Sequence, residues 1–217
     1  YKVPAMAAKI KHSIFDGMGV LPLSFYRRDD VVQLSRELLG KRLVTHVAGQ
    51  YTSGIIVETE AYRGWGDKAC HAHAGKRTPR TEVMFHRGGK AYVYLCYGIH
   101  HLFNIVTGAE GTASAVLVRA VEPEAGLDIM LQRRRMDQLH RRITAGPGSM
   151  SQAMGITTQL YGEPLNGKTI WLEETGTSYT NEQIIASPRV GVDYAEEDAA
   201  LPWRFRVKGN RFTSPAK

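Results

Sequence analysis

The sequence predicts an α+β domain whose sheet is largely antiparallel, and three observations lead there. Segments with strand character recur as neighbours joined by short glycine turns. Helical patterns are few and brief. Strands and helices do not alternate strictly, as a parallel doubly wound sheet would require.

The elements follow in order. Asp29-Asp30 offers an N-cap for an amphipathic helix over residues 31–39, which Gly40 stops. Residues 42–47 and 51–62 read as two strands around Ala48-Gly49-Gln50. Residues 63–90 are rich in Gly, His, Arg and Lys and lack a period; so long a loop is usually functional or conceals short helices. Strand character returns over 90–97, breaks at Gly98 and resumes over 101–107. Gly108 and Gly111 bracket a turn, and residues 113–121 form another strand. Pro123 is expected to open a helix that reaches about Arg135. Gly146-Pro147-Gly148-Ser149 leads a helix that ends near Gly155. Short strands are expected over 169–172, 189–193 and 203–208.

At 217 residues, with 43% hydrophobic and 23% charged residues, the chain reads as one globular domain over residues 21–217. Residues 1–20 show no steady period and read as a flexible or partly non-native leader. No apolar run approaches the roughly 18 residues of a membrane helix, so no membrane is expected as a partner. There is no secretory signal, and two cysteines, Cys70 and Cys96, make no disulfide framework; an intracellular protein is expected. Net charge is +7; residues 1–20 contribute +2, leaving +5 spread through the folded part. That balance favours polyanions, although many basic proteins bind none.

Chemistry gathers in the middle of the chain. On a strand Glu58, Glu60 and Tyr62 share a face. Paired carboxylates can raise one another's pKa, which suits general acid or base work; a solvated strand face or an ion pair to arginine is the plainer alternative. His71 lies in Cys70-His71-Ala72-His73, but no HExxH or paired CxxC accompanies it, so no metal is expected. Tyr92 and Tyr94 share a face, as packing or as a ligand platform. Tyr97 stands before Gly98, where it can project beyond the sheet. Asn104 is a lone amide among Leu102, Phe103 and Ile105, either an anchor or the reader of a polar ring edge. The arginines at 133–135 and 141–142 suit a solvated helix surface. Gly146-Pro147-Gly148-Ser149 suits an anion site or an ordinary cap.

Taken together, these segments resemble the alkyladenine (3-methyladenine, methylpurine) DNA glycosylase family. The resemblance rests on Gly54-Ile55-Ile56-Val57-Glu58-Thr59-Glu60-Ala61-Tyr62, Arg77-Thr78-Pro79-Arg80 and Ala91-Tyr92-Val93-Tyr94-Leu95-Cys96-Tyr97-Gly98. Leu117-Val118-Arg119-Ala120-Val121-Glu122-Pro123 and Arg189-Val190-Gly191-Val192 extend it. It implies a curved antiparallel sheet from which a hairpin enters the DNA minor groove. It also implies a monofunctional enzyme of base excision repair, in the bacterial cytoplasm (nucleoid) or the eukaryotic nucleus. Such an enzyme acts on double-stranded DNA containing damaged purines, without a cofactor and as a monomer.

Carried over by position, Glu60 resembles the base that activates water, and Arg119 a catalytic residue that helps hold water and phosphate. Tyr62, His71, Tyr94, Asn104 and Leu117 match the base-binding pocket; Asn104 would exclude the 2-amino group of guanine. Tyr97 matches the residue that fills the hole left by the flipped nucleotide. Arg77, Arg80 and Ser149 are DNA-backbone candidates. Two departures stand out. Ile99-His100-His101 follows the turn where relatives often carry Met and aromatics, and Ser149 stands where relatives commonly carry Lys. The second predicts a shallower salt dependence of DNA binding than a lysine-bearing relative has. Two other classes fit the residues less well: a catalytically silent lesion-binding module, which has no need of Glu60, and a hydrolase of free nucleosides.

Overall fold

A computed structural model describes residues 19–215; the expected leader lies almost wholly outside them. Helix α1 (Leu23–Tyr26) is a single turn, and α2 (Val31–Glu37) begins where Asp30 accepts a hydrogen bond from the Gln33 amide. Strands β1 (Arg42–Val47) and β2 (Gln50–Tyr62) form the first hairpin. Strands β3 (Ala91–Cys96) and β4 (His100–Thr107) form the second, and β5 (Ser114–Ala125) returns beside β4. Helices α3 (Leu127–Arg134) and α4 (Pro147–Met154) follow, then the short strands β6 (Ile170–Glu173), β7 (Ile184–Ser187) and β8 (Arg204–Val207).

All pairings are antiparallel. The order runs β3-β4-β5-β2-β1-β6, and β8 joins the far half of β2 with β7 outside it. The α+β class and the curved, open antiparallel sheet agree with the sequence reading. The main core includes Leu38, Ile56, Phe103, Val118, Met130 and Met154, joining the sheet to α2, α3 and α4.

Two expectations fail. Pro123 does not open a helix: β5 continues to Ala125, with Pro123 opposite Gly54 beside a register shift. A proline has no N–H for the ladder, and such irregularities are where sheets accept one. The helix starts only after Gly126, at φ 73°. Residues 189–193 form no regular strand; the strand there is β7, and Arg189 and Val190 are instead held by hydrogen bonds to β2 and to the long loop before β3. That loop conceals two short 3₁₀ turns, His73–Gly75 and Glu82–Phe85.

β2 is the element that positions the site. Its central location buries both faces, so Glu58 and Glu60 are fully buried together with Val57, Thr59 and Ala61. The solvated-face alternative for these glutamates is therefore excluded.

Candidate active site

One register row crosses five strands. Tyr92 lies opposite Asn104, Asn104 opposite Leu117, Leu117 opposite Glu60, and Glu60 opposite Arg204. Residues aligned in this way project from the same face of the sheet. Three side chains that the sequence reading singled out on separate strands, Asn104, Leu117 and Glu60, thus become neighbours.

Arg119 joins them through a bulge. Glu58 pairs with Ala120 and Thr59 with Val118, which leaves Arg119 without a cross-strand partner. Bulges re-aim side chains next to functional sites. Here Arg119 Nε donates to Glu58 Oε1 at 2.8 Å, and its Nη1 lies 3.2 Å from Glu60 Oε1. Glu58 is also held by Arg204 Nε and Ser214 Oγ, each at 2.8 Å, and by the Ser214 amide. Two buried carboxylates and two buried guanidiniums thus neutralise one another. Burial opposes the charge on Arg119, but Glu60 and Glu58 more than offset it and raise the guanidinium's pKa.

Glu60 has two further donors. The Tyr62 hydroxyl donates to Oε2 at 2.8 Å, and the Val190 amide donates to Oε1 at 2.9 Å. Every identified partner is a donor, so both carboxylate oxygens serve as acceptors. Burial, and then the Glu60 charge, push the Tyr62 hydroxyl well above its usual range, so it remains a proton donor.

Above this array lies a cavity of about 570 Å³, within the size range of small-molecule pockets. Tyr62, His71, Tyr94, Asn104, Leu117 and Arg119 line it, as do Tyr97, Arg80 and Ser149. Of the site residues that the resemblance assigns, two do not line it. Arg77 is paired with Glu82 at 3.0 Å and lies over Phe85. Glu60 lies beneath the wall made by Tyr62, Arg119 and Val190, which line the cavity over it.

The aromatic walls support one another. His71 and Tyr94 meet edge to face at 4.8 Å between centroids, and Tyr92 lies 5.3 Å from Tyr94. His71 Nδ1 is 2.8 Å from the Tyr92 hydroxyl, which fixes the imidazole. Burial, with Arg80 and Lys76 nearby, lowers the His71 pKa from 6.5 to about 4, so the ring is neutral at physiological pH. The Cys70 thiol, also at the cavity, is pushed up to about 12 by burial and stays protonated. Asn104 donates both amide hydrogens to the carbonyls of Tyr92 and Leu102, which turns its oxygen into the available group.

Tyr97 stands at the tip of the β3–β4 hairpin, 92% exposed. Tyr97 and Gly98 take φ of 51° and 72°, and the Ile99 amide closes the turn on the Cys96 carbonyl. Both central residues are left-handed, as in a type I′ turn. Gly98 adopts this at no steric cost, whereas a bulky side chain at Tyr97 is strained. Such strain is often kept at functional sites. Ile99 is 71% exposed beside it.

The arginine-rich helix is not a row of free cations. Arg133 donates to Ala153 O and Gln50; Arg134 donates to the carbonyls of Arg142 and Ile143 and to Ser149 Oγ. They tie α3 to α4 and the segment before it. Gly148, in the first turn of α4, lets the helix start approach the hairpin, since a Cβ there would meet His100 Nδ1 at 2.9 Å.

Sequence reasoning missed the Val190 amide, which carries no side-chain signal, and the buried Asp67–Arg189 pair that anchors it. Arg189 also lies 4.8 Å from the Tyr62 ring centroid. Its place beside Val190 in the Arg-Val-Gly-Val segment was the available clue.

Residues 24–211 match the family model described as methylpurine-DNA glycosylase. The chain belongs to that family. A Chlamydia felis protein is 49% identical over 187 residues, covering 86% of this chain and 95% of its own. A Desulfitobacterium hafniense protein is 45% identical over 197 residues, covering 88% and 96%, and a Bacillus thuringiensis protein is 44% identical over 201 residues, covering 89% and 98%. Each of these family relatives bears the name "Putative 3-methyladenine DNA glycosylase". Among the described residues, no helix is long and apolar enough to cross a membrane.

Proposed function

We propose that the protein is a monofunctional DNA glycosylase that extrudes alkylated or deaminated purines from duplex DNA and hydrolyses their N-glycosidic bond. The observation that carries this reading is the placement of Glu60, held by donors alone, directly beneath an aromatic-walled cavity beside an exposed hairpin tyrosine.

In this reading Tyr97 enters the minor groove and fills the space that the flipped nucleotide leaves. Apolar and aromatic wedges do this in other minor-groove proteins. Flipping costs a few kcal/mol, and least for damaged or mispaired bases. Stacking on Tyr62, His71 and Tyr94 offsets roughly 1–3 kcal/mol per base. Neutral His71 offers one ring nitrogen to the base edge, since the other is taken by Tyr92. Asn104 and Leu117 bound the far side, and Asn104 excludes the 2-amino group of guanine.

Hydrolysis follows from the lone-pair count at Glu60. Oε1 serves Val190 and Arg119, whereas among the described residues Oε2 serves Tyr62 alone. The second lone pair of Oε2 is where a water is held and deprotonated for attack at C1′. Arg119 fixes the carboxylate in place. No lysine lines the cavity among the described residues, which supports hydrolysis by water without a Schiff-base step. The substrates in view are 3-methyladenine, 7-methylguanine, hypoxanthine and ethenoadenine.

The test is a duplex carrying one hypoxanthine opposite thymine, incubated with EDTA and then treated with hot alkali. A single cut at the lesion with wild type, lost in Glu60→Gln while lesion binding persists, is the expected result. No cut on this duplex or on 3-methyladenine-bearing DNA would overturn the enzyme reading in favour of a lesion-binding module.

A further inference from the structure

Two guanidiniums line the cavity, and their electrostatic situations differ. Arg119 is matched by Glu58 and Glu60. Arg189, which lies close to the Tyr62 ring, is matched by Asp67 at 2.6 and 2.8 Å. Arg80 has neither an ion pair nor a hydrogen bond among the described residues. Its Cζ lies 5.5 Å from the centroid of Tyr94, at the cavity, and its side chain is otherwise exposed.

Tyr94 is the aromatic wall that also meets His71 and Tyr92. A flat cation over its ring uses the electron-rich face that would attract a cationic purine. The same charge repels such a purine, and no carboxylate forms an ion pair with Arg80 among the described residues. A neutral purine stacks on the ring without either penalty. Arg80 is close enough for its charge to act on His71 as well, which burial already keeps neutral. The cation at this wall is Arg80; Glu60, whose charge also reaches Tyr94, is already paired with Arg119, and Lys76 lies outside the cavity lining.

We infer that Arg80 is a specificity-determining residue, which ranks neutral purine lesions above cationic ones by placing an unmatched guanidinium on the Tyr94 wall. The inference rests on the glycosylase reading. It differs from a contact to the DNA backbone, which would serve every lesion alike.

The experiment measures single-turnover excision of 7-methylguanine, which is cationic, and of hypoxanthine, which is neutral, from duplexes of otherwise identical sequence. Wild type, Arg80→Gln and Arg80→Lys are compared, with a thermal melt of each to verify the fold. In Arg80→Gln the ratio of 7-methylguanine to hypoxanthine rates is expected to rise roughly three- to thirtyfold, the range of a cation–π contact. Arg80→Lys is expected to stay within about threefold of wild type, because the charge is retained. Parallel slowing on both substrates, with the ratio unchanged and a shallower salt slope, would assign Arg80 to the backbone and overturn the inference. A falling ratio would overturn it too. Wild type inactive on both duplexes would instead defeat the glycosylase reading on which the inference stands.

Discussion

The Tyr62 hydroxyl donates to Glu60 Oε2 at 2.8 Å, so a ring that walls the cavity and the carboxylate beneath it are mechanically one unit. Tyr62→Phe keeps the ring and removes the donor. A hydrogen bond to a charged group is worth about 1.5–3 kcal/mol. The expected outcome is excision slowed by roughly tenfold or more, with lesion affinity within about threefold of wild type because stacking persists. Single-turnover rates and a binding titration on the same duplex separate the two effects; a large loss of affinity would mean that the hydroxyl serves the base instead.

Glu58 is the keystone of the buried array, since Arg119, Arg204 and Ser214 all converge on it. Removing one partner of a buried ion pair leaves an uncompensated charge and costs about 3–5 kcal/mol. Glu58→Ala is expected to lower the Tm by roughly 6–20 °C, at about 2–4 °C per kcal/mol for a domain of this size. Glu58→Gln, which retains shape and accepting capacity, should lose less. A Glu58→Ala melt within about 2 °C of wild type would contradict the electrostatic account of the array.

His71 ties stability to pH. Its pKa falls from 6.5 unfolded to about 4 in the fold, chiefly through burial. Between those values the unfolded chain binds a proton that the native ring refuses. The native state therefore loses stability as pH drops from about 6.5 towards 4, and this contribution levels off below about 4. His71→Gln removes this part of the dependence, so its Tm should fall less steeply than that of wild type across the interval. Parallel Tm–pH curves for the two proteins would show that His71 is not the group responsible.

What could be read from the chain, and what could not, divides along physical lines. Period-two alternation on one strand was enough to put Glu58, Glu60 and Tyr62 on a common face, and the sheet class followed from paired strands. Alternation cannot say whether a strand is central, and it is the central position of β2 that buries both carboxylates. Register is equally silent in the sequence: the row from Tyr92 to Arg204 exists only once β3, β4, β5, β2 and β8 are aligned. The bulge at Arg119 and the Val190 amide are backbone features without a compositional mark. Pro123 misled because proline suits both a helix start and an irregular strand end.

Ser149 offers a test of the DNA-backbone contact. It lines the cavity, and its Oγ accepts a hydrogen bond from Arg134. A lysine there would add a cation where the present side chain has none. Ser149→Lys is expected to steepen the log–log salt dependence of DNA binding by roughly 0.9, the increment of one neutralised phosphate. Titrations at several salt concentrations measure it, and an unchanged slope would place the phosphates elsewhere.

Tyr97 is where stability and function are expected to part. Its φ of 51° is unfavourable for a bulky side chain, whereas asparagine tolerates the left-handed region. The side chain makes little packing that a substitution would lose, since the residue is 92% exposed. Tyr97→Asn should therefore leave the fold as stable as wild type or up to about 1–2 kcal/mol more so. The same change removes the wedge that holds the duplex open, so affinity for a lesion duplex and the excision rate should fall together, by at least roughly tenfold each if one stacking contact is lost. A thermal melt beside a single-turnover assay tests both halves. A destabilised but fully active variant would show that the strained turn serves the fold and that the hole in the duplex is filled by another residue, with Ile99, 71% exposed on the same turn, the first to substitute.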